Sequence, residues 1–346
     1  MEMEKEKLMT IFKHFAENEA KGNSPLYEYW CQQIVQDEGL LDLIRHIPST
    51  QPKPNLFFAS VQYLALKSNQ PISHCFLHPE ETNVEASFQL LKGFCKDFET
   101  ELIQLFNTKL VQTNEVQRAT YLYPIFHDIY QSSNKPLTLI EIGTSAGLLL
   151  NVDCYQYEIS QQSGVIHYGD EGSPLQIRAS NFGENLEAVG KLSINNRLGI
   201  DLNIIDLNNE EDYYWLQCLI WPEQKKRKEN LANARSIHLQ CEKSLMEGDF
   251  TKIITDYIHD HQDDSQIVLF HTHVANQFPL ELKEELVTML HQLSLHVPLY
   301  HVYNNMFDPH LHVDYIDSGE TMNLKVLKNT DGHGNYFYWN ERIFHN

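Results

Sequence analysis

Apolar positions recur at helical spacing through the first third of the chain. Leu8, Ile11 and Phe15 lie on one face of a helix if the segment that contains them is helical. Ser24 is followed directly by a proline, and this pair is typical of a helix start. Similar patterns continue with few breaks. The pattern therefore predicts an all-α N-terminal domain over residues 1–130.

Beyond this point, short apolar runs of strand length alternate with helical segments. The last two runs, residues 321–329 and 335–344, flank a turn at Asp331-Gly332, which is typical of a hairpin. Strands that alternate with helices form parallel sheets covered on both faces. Residues 131–346 are therefore predicted to form an α/β domain with a doubly wound, Rossmann-like, mostly parallel sheet and a C-terminal antiparallel hairpin.

The first predicted strand runs into a glycine-containing turn within the stretch LTLIEIGTSAGLLL. The strand reaches Glu141, the turn contains Gly143 and Gly147, and a helix is expected to start at Leu148. Glycine permits a positive φ and lets a ligand approach the backbone, and helix N-terminal amides face such ligands. A dinucleotide site would have a glycine at the position that Leu148 occupies in this chain. In addition, the carboxylate of Glu141 would repel a pyrophosphate. The turn therefore suits a cationic or amine-bearing ligand.

This acid-x-G-x-small-x-G pattern resembles the first motif of class I S-adenosylmethionine-dependent methyltransferases. The resemblance implies that the turn cradles the aminoacyl end of the cofactor and that the acid ending the second strand binds the ribose hydroxyls. Asp201 in GIDLN takes that place, and Asp249 in MEGDF resembles a later segment near the adenine. The implied cofactor-binding residues are Glu141, Gly143, Thr144, Ser145, Gly147, Asp201 and Asp249.

The position of the ribose acid leaves one alternative open. Asp201 follows Gly147 by 201 − 147 = 54 residues, whereas a simple unit has about 20. The extra segment is interpreted as an inserted hairpin. If that segment is instead the second strand, Asp170 is the ribose acid.

Several stretches taken together are similar to a bacterial family known as domain of unknown function twenty-three thirty-two. They lie between Ser24 and about Arg227. The stretches are SPLYEYW, PNLFFASVQYLAL, QTNEVQR, EIGTSAGLLLNVDCYQY, RLGIDLNIID and WPEQKKR. The resemblance implies a methyltransferase-like fold and carries no established reaction.

QTNEVQR, which precedes the first strand, has two interpretations. In the local one, Asn114 caps a helix and Glu115 pairs with Arg118. In the functional one, Gln112, Asn114 and Arg118 lie at the pocket mouth, and Glu115 is a candidate catalytic residue.

Histidines form two candidate pairs. His271 and His273 are expected on one face of a strand, and His310 and His312 stand with Asp314 in a similar pattern. Two histidines and a carboxylate can bind a divalent metal. However, 18 histidines are scattered along the chain and no cysteine pair has zinc-ligand spacing, so no metal is expected. His271 is the second candidate catalytic residue, as a general base or an acceptor-site residue.

Charge and hydropathy narrow the classes of partner. The formal net charge of −21 opposes binding to nucleic acid or to an anionic membrane surface. No apolar run has the length of a membrane span, and the first residues lack the apolar region of a signal peptide. A cytoplasmic protein with a small-molecule ligand is expected, and the oligomeric state is left open.

The leading functional hypothesis is an S-adenosylmethionine-dependent methyltransferase that acts on a small-molecule or protein acceptor. A non-catalytic, methyltransferase-like ligand-binding or scaffold protein is the first alternative. A metal-dependent enzyme that uses the histidine pairs is the second.

Overall fold

Helices occupy the first part of the chain, and strands alternate with helices in the rest. The computed structural model describes residues 2–187, 189–260 and 264–340. The α-helices are α1 (Glu2–Phe15), α2 (Pro25–Ile34), α3 (Glu38–Ile44), α4 (Lys53–Ser68), α5 (Ser73–Leu77), α6 (Val84–Asp97), α7 (Glu99–Thr108), α8 (Ala119–Ser133), α9 (Glu210–Cys218), α10 (Lys225–His238), α11 (Phe250–Asp260) and α12 (Leu280–Ser294). The strands are β1 (Leu137–Ile142), β2 (Gln156–Gln161), β3 (Gly164–Gly169), β4 (Gln176–Asn181), β5 (Ile194–Asp201), β6 (Ser244–Glu247), β7 (Gln266–His271), β8 (Leu299–Tyr303), β9 (Leu311–Asp317), β10 (Glu320–Leu327) and β11 (Tyr336–Phe337). Within the described ranges, no helix combines the length and the apolar character that a bilayer crossing requires.

The chain folds into two compact units whose limits differ from the predicted division at residue 130. The first unit comprises Met1–Thr113 and Asn209–Glu229, and the second comprises Asn114–Asn208 and Asn230–Asn346. Residues 209–229 belong to the first unit because α9 packs into its core, where Trp215 is buried. The indole Nε1 of Trp215 donates to the carbonyl oxygen of Leu110 at 2.9 Å.

Aromatic side chains fill the core of the first unit. Tyr27 stacks on Phe58 with ring centroids 4.2 Å apart. The indole Nε1 of Trp30 donates to Ser87 Oγ at 2.9 Å, so this fully buried side chain has its hydrogen bond. Ser24 Oγ accepts from the amide of Tyr27 at 3.1 Å, which confirms Ser24 as the N-cap of α2.

The second unit contains a mostly parallel seven-stranded sheet. Its strand order is β10-β9-β8-β7-β1-β5-β6. β6, β5, β1, β7 and β8 are parallel, and β9 and β10 are antiparallel additions at one edge. After β1, the chain adds β5 and then β6 on one side of this strand. It then adds β7 and β8 on the other side of β1. The topology therefore switches between β1 and β7, where open α/β sheets bind ligands beyond the carboxyl ends of their strands.

Helices cover both faces of this sheet. On one face, α11 and α12 contribute Ile254 and Leu290 to a core that also contains Ile140 and Leu269. On the opposite face, Phe126 of α8 meets Phe270 of β7 edge-on, with ring centroids 5.2 Å apart. All six residues of β1 are buried, as expected for a central parallel strand.

The second unit also contains a four-stranded sheet with the strand order β11-β4-β2-β3. Three of these strands, β2, β3 and β4, lie between β1 and β5 in sequence, and β11 follows β10. β2 and β3 are antiparallel, from the pair Gln156–Gly169 to the pair Gln161–Gly164. This confirms the predicted inserted hairpin and explains the 54-residue separation between Gly147 and Asp201.

The C-terminal hairpin of the large sheet uses other residues than predicted. Residues 320–327 pair with β9, from Glu320–Asp317 to Leu327–Leu311. Tyr336 and Phe337 instead pair in parallel with β4 of the second sheet. The chain does turn at Asp331, since its amide donates to the carbonyl oxygen of Tyr336. The predicted pairing therefore survives only next to the turn, and residues 341–344 of the predicted strand lie outside the described residues.

Candidate functional site

The glycine turn follows β1 at the carboxyl edge of the large sheet. Gly143 and Gly147 both have φ of +72°, and Ser145 has φ of 51°. A Cβ atom at Gly143 would lie 2.6 Å from Val274 Cγ2, and one at Gly147 would lie 2.8 Å from Leu245 Cδ2. Both positions therefore require glycine for backbone conformation and for packing.

The helix predicted to start at Leu148 is absent. A six-residue 3₁₀ segment, Leu149–Cys154, contains a non-helical residue at Asn151 and leads directly into β2. Leu148 and Leu150 are buried, so the apolar run that suggested a helix face is core-packed irregular chain. No α-helix N-terminus follows this turn. Its hydrogen-bond partners are backbone groups of β5 and of the segment after β5, together with two side chains.

Asp201, the last residue of β5, is one of these partners. Its Oδ2 accepts from the amide of Ser145 at 2.8 Å, and its Oδ1 accepts from the amide of Asn203 at 3.2 Å. Because β5 lies directly beside β1, the carboxylate and the turn meet at one edge. Asp170 follows β3, is exposed and belongs to the other sheet, where its Oδ1 accepts from the amide of Gly172 at 3.0 Å. The neighbour of the turn is therefore Asp201.

Asp249 lies at the same edge of the sheet, after β6. Its side chain is exposed, and Oδ1 accepts from the amide and the hydroxyl of Thr251 at 3.0 and 2.8 Å. These contacts hold the carboxylate at the start of α11.

Glu141 lies beneath the turn and does not face outward as expected. Its side chain is buried, and Thr144 Oγ1 donates to its Oε2 at 2.6 Å. Burial raises the pKa of Glu141 to about 8, and the nearby Asp201 carboxylate acts in the same direction. At neutral pH the group is mostly the uncharged acid. It supports Thr144 from within and offers no negative charge to a ligand.

This pKa predicts a pH effect on stability. Glutamate in the unfolded chain titrates near about 4.3, below the folded value of about 8, so the folded protein binds the proton more tightly. The stabilisation is complete below the unfolded pKa and is lost as the pH rises through about 8. We expect Glu141→Gln, which keeps an oxygen acceptor for Thr144, to be more stable relative to wild type at about pH 9 than at about pH 5.

Urea unfolding at both pH values measures the difference. Glu184→Gln, at an exposed position of the same unit, is the control and should follow wild type. Parallel pH dependence in wild type and Glu141→Gln would show that Glu141 does not hold a proton.

Asn114 binds the glycine turn directly. Its Nδ2 donates to Ser145 Oγ at 2.8 Å, and its Oδ1 accepts from the amide of Ala146 at 3.1 Å. Glu115 is the residue that caps, since its Oε1 accepts from the amide of Gln117 at 3.3 Å. QTNEVQR thus connects to the turn through a side chain 31 positions before Ser145, a contact that the local interpretation did not include.

Glu115 and Arg118 do not form the ion pair of the local interpretation. Glu115 is buried, and its Oε2 lies 3.4 Å from His333 Nδ1. Arg118 is also buried, and its Nε donates to the carbonyl oxygen of Gly332 at 2.8 Å. Its Nη1 lies 3.4 Å from the carbonyl oxygen of Thr272, the residue after β7. Arg118 therefore brings a buried cation to the strand end beside the topological switch.

Gln112 is assigned to a different compact unit from the later residues of this motif. It is half-buried in the segment after α7 and belongs to the first unit. Asn114, Glu115 and Arg118 all belong to the second.

The HTH histidines do not share a strand face. β7 ends at His271, and His273 has φ of 58°, which turns the chain away from the ladder. His271 is buried, and its Nε2 lies 3.1 Å from Nε2 of His301 on β8. Burial lowers the pKa of His271 to about 3 and that of His273 to about 4, so both rings are neutral at pH 7.

Two further residues, on β8 and just after it, lie at these strand ends and were not predicted from the sequence. They are His301 and Asn304, and the side chain of Asn304 accepts from the amide of His273 at 2.7 Å. The signal for them is the run HVYNN, in which polar residues follow a buried strand.

The second histidine group is held by local contacts. His310 Nδ1 lies 3.0 Å from the carbonyl oxygen of Lys328, and His312 Nε2 lies 2.9 Å from Asp308. Asp314 accepts from the Tyr303 hydroxyl at 2.9 Å. Among residues 2–187, 189–260 and 264–340, no group of three histidine, cysteine, aspartate or glutamate side chains is positioned to hold a metal ion.

Comparison with known proteins identifies the family. The chain matches the model of a family described as "Uncharacterized protein conserved in bacteria (DUF2332)" over residues 10–339. Comparisons with curated proteins and with solved structures give no match. The match covers nearly the whole chain, both compact units included, and the chain therefore belongs to this bacterial family.

Proposed function

We propose that the second unit binds S-adenosylmethionine and transfers its methyl group to a small-molecule or protein acceptor. The observation that carries the proposal is the 2.8 Å hydrogen bond from the Ser145 amide to Asp201 Oδ2. It joins a glycine turn after one parallel strand to a carboxylate that ends the neighbouring strand. This combination at the carboxyl edge of a doubly wound sheet suits a nucleoside-type ligand.

The residues at this edge fit the parts of the cofactor. A carboxylate has about four lone-pair positions, and Asp201 uses two of them for the Ser145 and Asn203 amides. The others are left for a ribose diol. The turn from Gly143 to Gly147 would hold the aminoacyl end, and Asp249 lies beyond the next strand, where an adenine would extend. When bound, the cofactor supplies an electrophilic methyl group on a sulfonium.

Polar atoms without partners favour an acceptor site at the neighbouring strand ends. The buried side-chain atoms without a hydrogen-bond partner in the described ranges include four in the second unit: Tyr121 Oη, His271 Nδ1, His273 Nε2 and Asn304 Nδ2. Three of them follow or end β7 and β8, and burying such groups unpaired is costly. A polar acceptor that binds them would satisfy these groups. Methyl transfer then requires mainly that the nucleophile be held in line with the sulfonium.

The leading alternative is a non-catalytic protein that keeps the fold for ligand binding or as a scaffold. An alternative metal-dependent enzyme would need the histidine pairs as ligands, and each of these rings has a separate local partner.

Isothermal titration calorimetry of the full chain tests the proposal. We expect S-adenosylmethionine and its demethylated product to bind with dissociation constants in the micromolar range, about −8 kcal/mol. Binding should be exothermic and saturable at one site per chain. Absence of heat with both ligands, from protein that unfolds cooperatively, would favour the non-catalytic alternative.

A further inference from the structure

Two cysteines lie side by side in the second unit. Cys154 ends the 3₁₀ segment that follows the glycine turn, and Cys241 lies between α10 and β6. Their Sγ atoms are 3.3 Å apart, and both side chains are half-buried. The remaining cysteines, Cys31, Cys75, Cys95 and Cys218, are buried. The pair is therefore the one place in the described chain where two thiols are in contact and accessible.

Charged groups surround the pair. Arg197 Nη2 donates to Asp153 Oδ2 at 2.6 Å, next to Cys154 in sequence. Lys243 Nζ donates to the carbonyl oxygen of Cys241 at 2.6 Å. The hydrogen bond from Cys154 lowers the pKa of Cys241, and the Lys243 and Arg197 cations act in the same direction against Asp153. The pKa of Cys154 is correspondingly raised, so Cys241 is the thiol of the pair that loses its proton more readily.

We propose that Cys154 and Cys241 are a redox-active dithiol, which hydrogen peroxide or a related peroxide oxidises to an intramolecular disulfide. The inference rests on the contact between the sulfur atoms and their access to solvent, and it is independent of the proposed methyltransferase activity.

The reaction proceeds in two balanced steps. The Cys241 thiolate attacks one oxygen of the peroxide, an S–O bond forms, the O–O bond breaks, and the departing hydroxide takes up a proton to become water. Cys154 sulfur then attacks Cys241 Sγ. An S–S bond forms, the S–O bond breaks, and the hydroxyl leaves with the Cys154 proton as a second water. The two thiols lose two electrons, and the peroxide gains them.

The disulfide would connect two segments beside the proposed ligand site. One is Leu149–Cys154, which follows the glycine turn, and the other leads into β6. Leu245 of β6 already contacts the position of Gly147. Oxidation would therefore restrain the segment after the turn against the segment that leads into β6.

Peptide mapping of the oxidised protein tests the proposal. The folded full chain is treated with hydrogen peroxide, remaining thiols are alkylated, and a non-reducing digest is analysed by mass spectrometry. We expect a peptide pair joined through Cys154 and Cys241, together with loss of the two fastest-reacting thiols in a titration with a colorimetric disulfide reagent. Reduction with a dithiol should restore both.

Single variants distinguish a disulfide from separate oxidation. Cys154→Ser should leave Cys241 as a sulfenic acid that a dimedone probe traps, and Cys75→Ser, which removes a buried thiol elsewhere, should form the joined peptide as wild type does. The proposal fails if wild-type protein gives no joined peptide, or if Cys154 and Cys241 accumulate as independently oxidised or alkylated residues.

Discussion

We expect the Asp201→Asn substitution to weaken binding of S-adenosylmethionine by about 10- to 100-fold. A hydrogen bond to a charged group contributes about 1.5–3 kcal/mol, and each 1.4 kcal/mol is tenfold in affinity. Asparagine keeps one oxygen that can accept from the Ser145 amide, as Asp201 Oδ2 does at 2.8 Å. It replaces Oδ1, which accepts from the Asn203 amide and would also accept from a ribose hydroxyl, with a donor. Affinity should therefore fall, and loss of the Asn203 hydrogen bond should also lower the stability by about 1 kcal/mol.

Calorimetry on wild type and variant measures the change, and thermal unfolding verifies that the variant is folded. Asp170→Asn is the matched control, because it removes the same charge from an exposed position on the other sheet. Unchanged affinity in Asp201→Asn would exclude this residue from the ligand site. Weaker binding by Asp170→Asn alone would assign the ribose contact to that residue.

The glycine turn predicts the largest losses of stability. Gly143→Ala and Gly147→Ala each place a side chain at φ of +72°, which costs about 1–3 kcal/mol. Each new Cβ also meets an apolar side chain at 2.6 Å or 2.8 Å, and overpacking adds about 1–3 kcal/mol. Val274, beside Gly143, is β-branched and stiff, whereas Leu245, beside Gly147, can rotate its terminal methyl. Gly143→Ala should therefore destabilise more.

Denaturant unfolding of wild type, Gly143→Ala and Gly147→Ala measures their order of stability. Gly22→Ala separates the two contributions, because Gly22 has φ of +78°, close to that of the turn glycines, and no atom within 4 Å of the added Cβ. It should fall between wild type and the turn variants. If Gly143→Ala and Gly22→Ala lose equal free energy, packing against Val274 contributes nothing measurable.

Local pattern was sufficient for the strand, the turn and its acid. The buried run of β1, the two glycines and the end of β5 at Asp201 are all readable from neighbouring residues. The apolar run at Leu148–Leu150 was misread because a short apolar segment has the same composition in a helix and in buried irregular chain. Packing in the tertiary core determines which of the two conformations this segment adopts. Three residues are too few to show a periodicity that would distinguish a helix from irregular chain.

Long-range contacts account for what the sequence did not reveal about the site. The bond between Asn114 and Ser145 joins residues on either side of α8 and β1, and the pairing of His271 with His301 depends on strand order. The burial of Glu141, which neutralises a carboxylate expected to face a ligand, depends on the side chains packed around it. Motif spacing does not contain this information.

The first unit is made of two separate sequence segments, and this affects when its core can be completed during synthesis. Its core includes Trp215 and Cys218, which are synthesised about a hundred residues after Thr113. The helices before Thr113 therefore emerge with part of their apolar surface uncovered, while β1 to β5 are already being made. Domains ordinarily complete in N-to-C order during synthesis. Here a nascent chain that ends before residue 209 lacks α9, so the core positions of Trp215 and Cys218 are still unfilled.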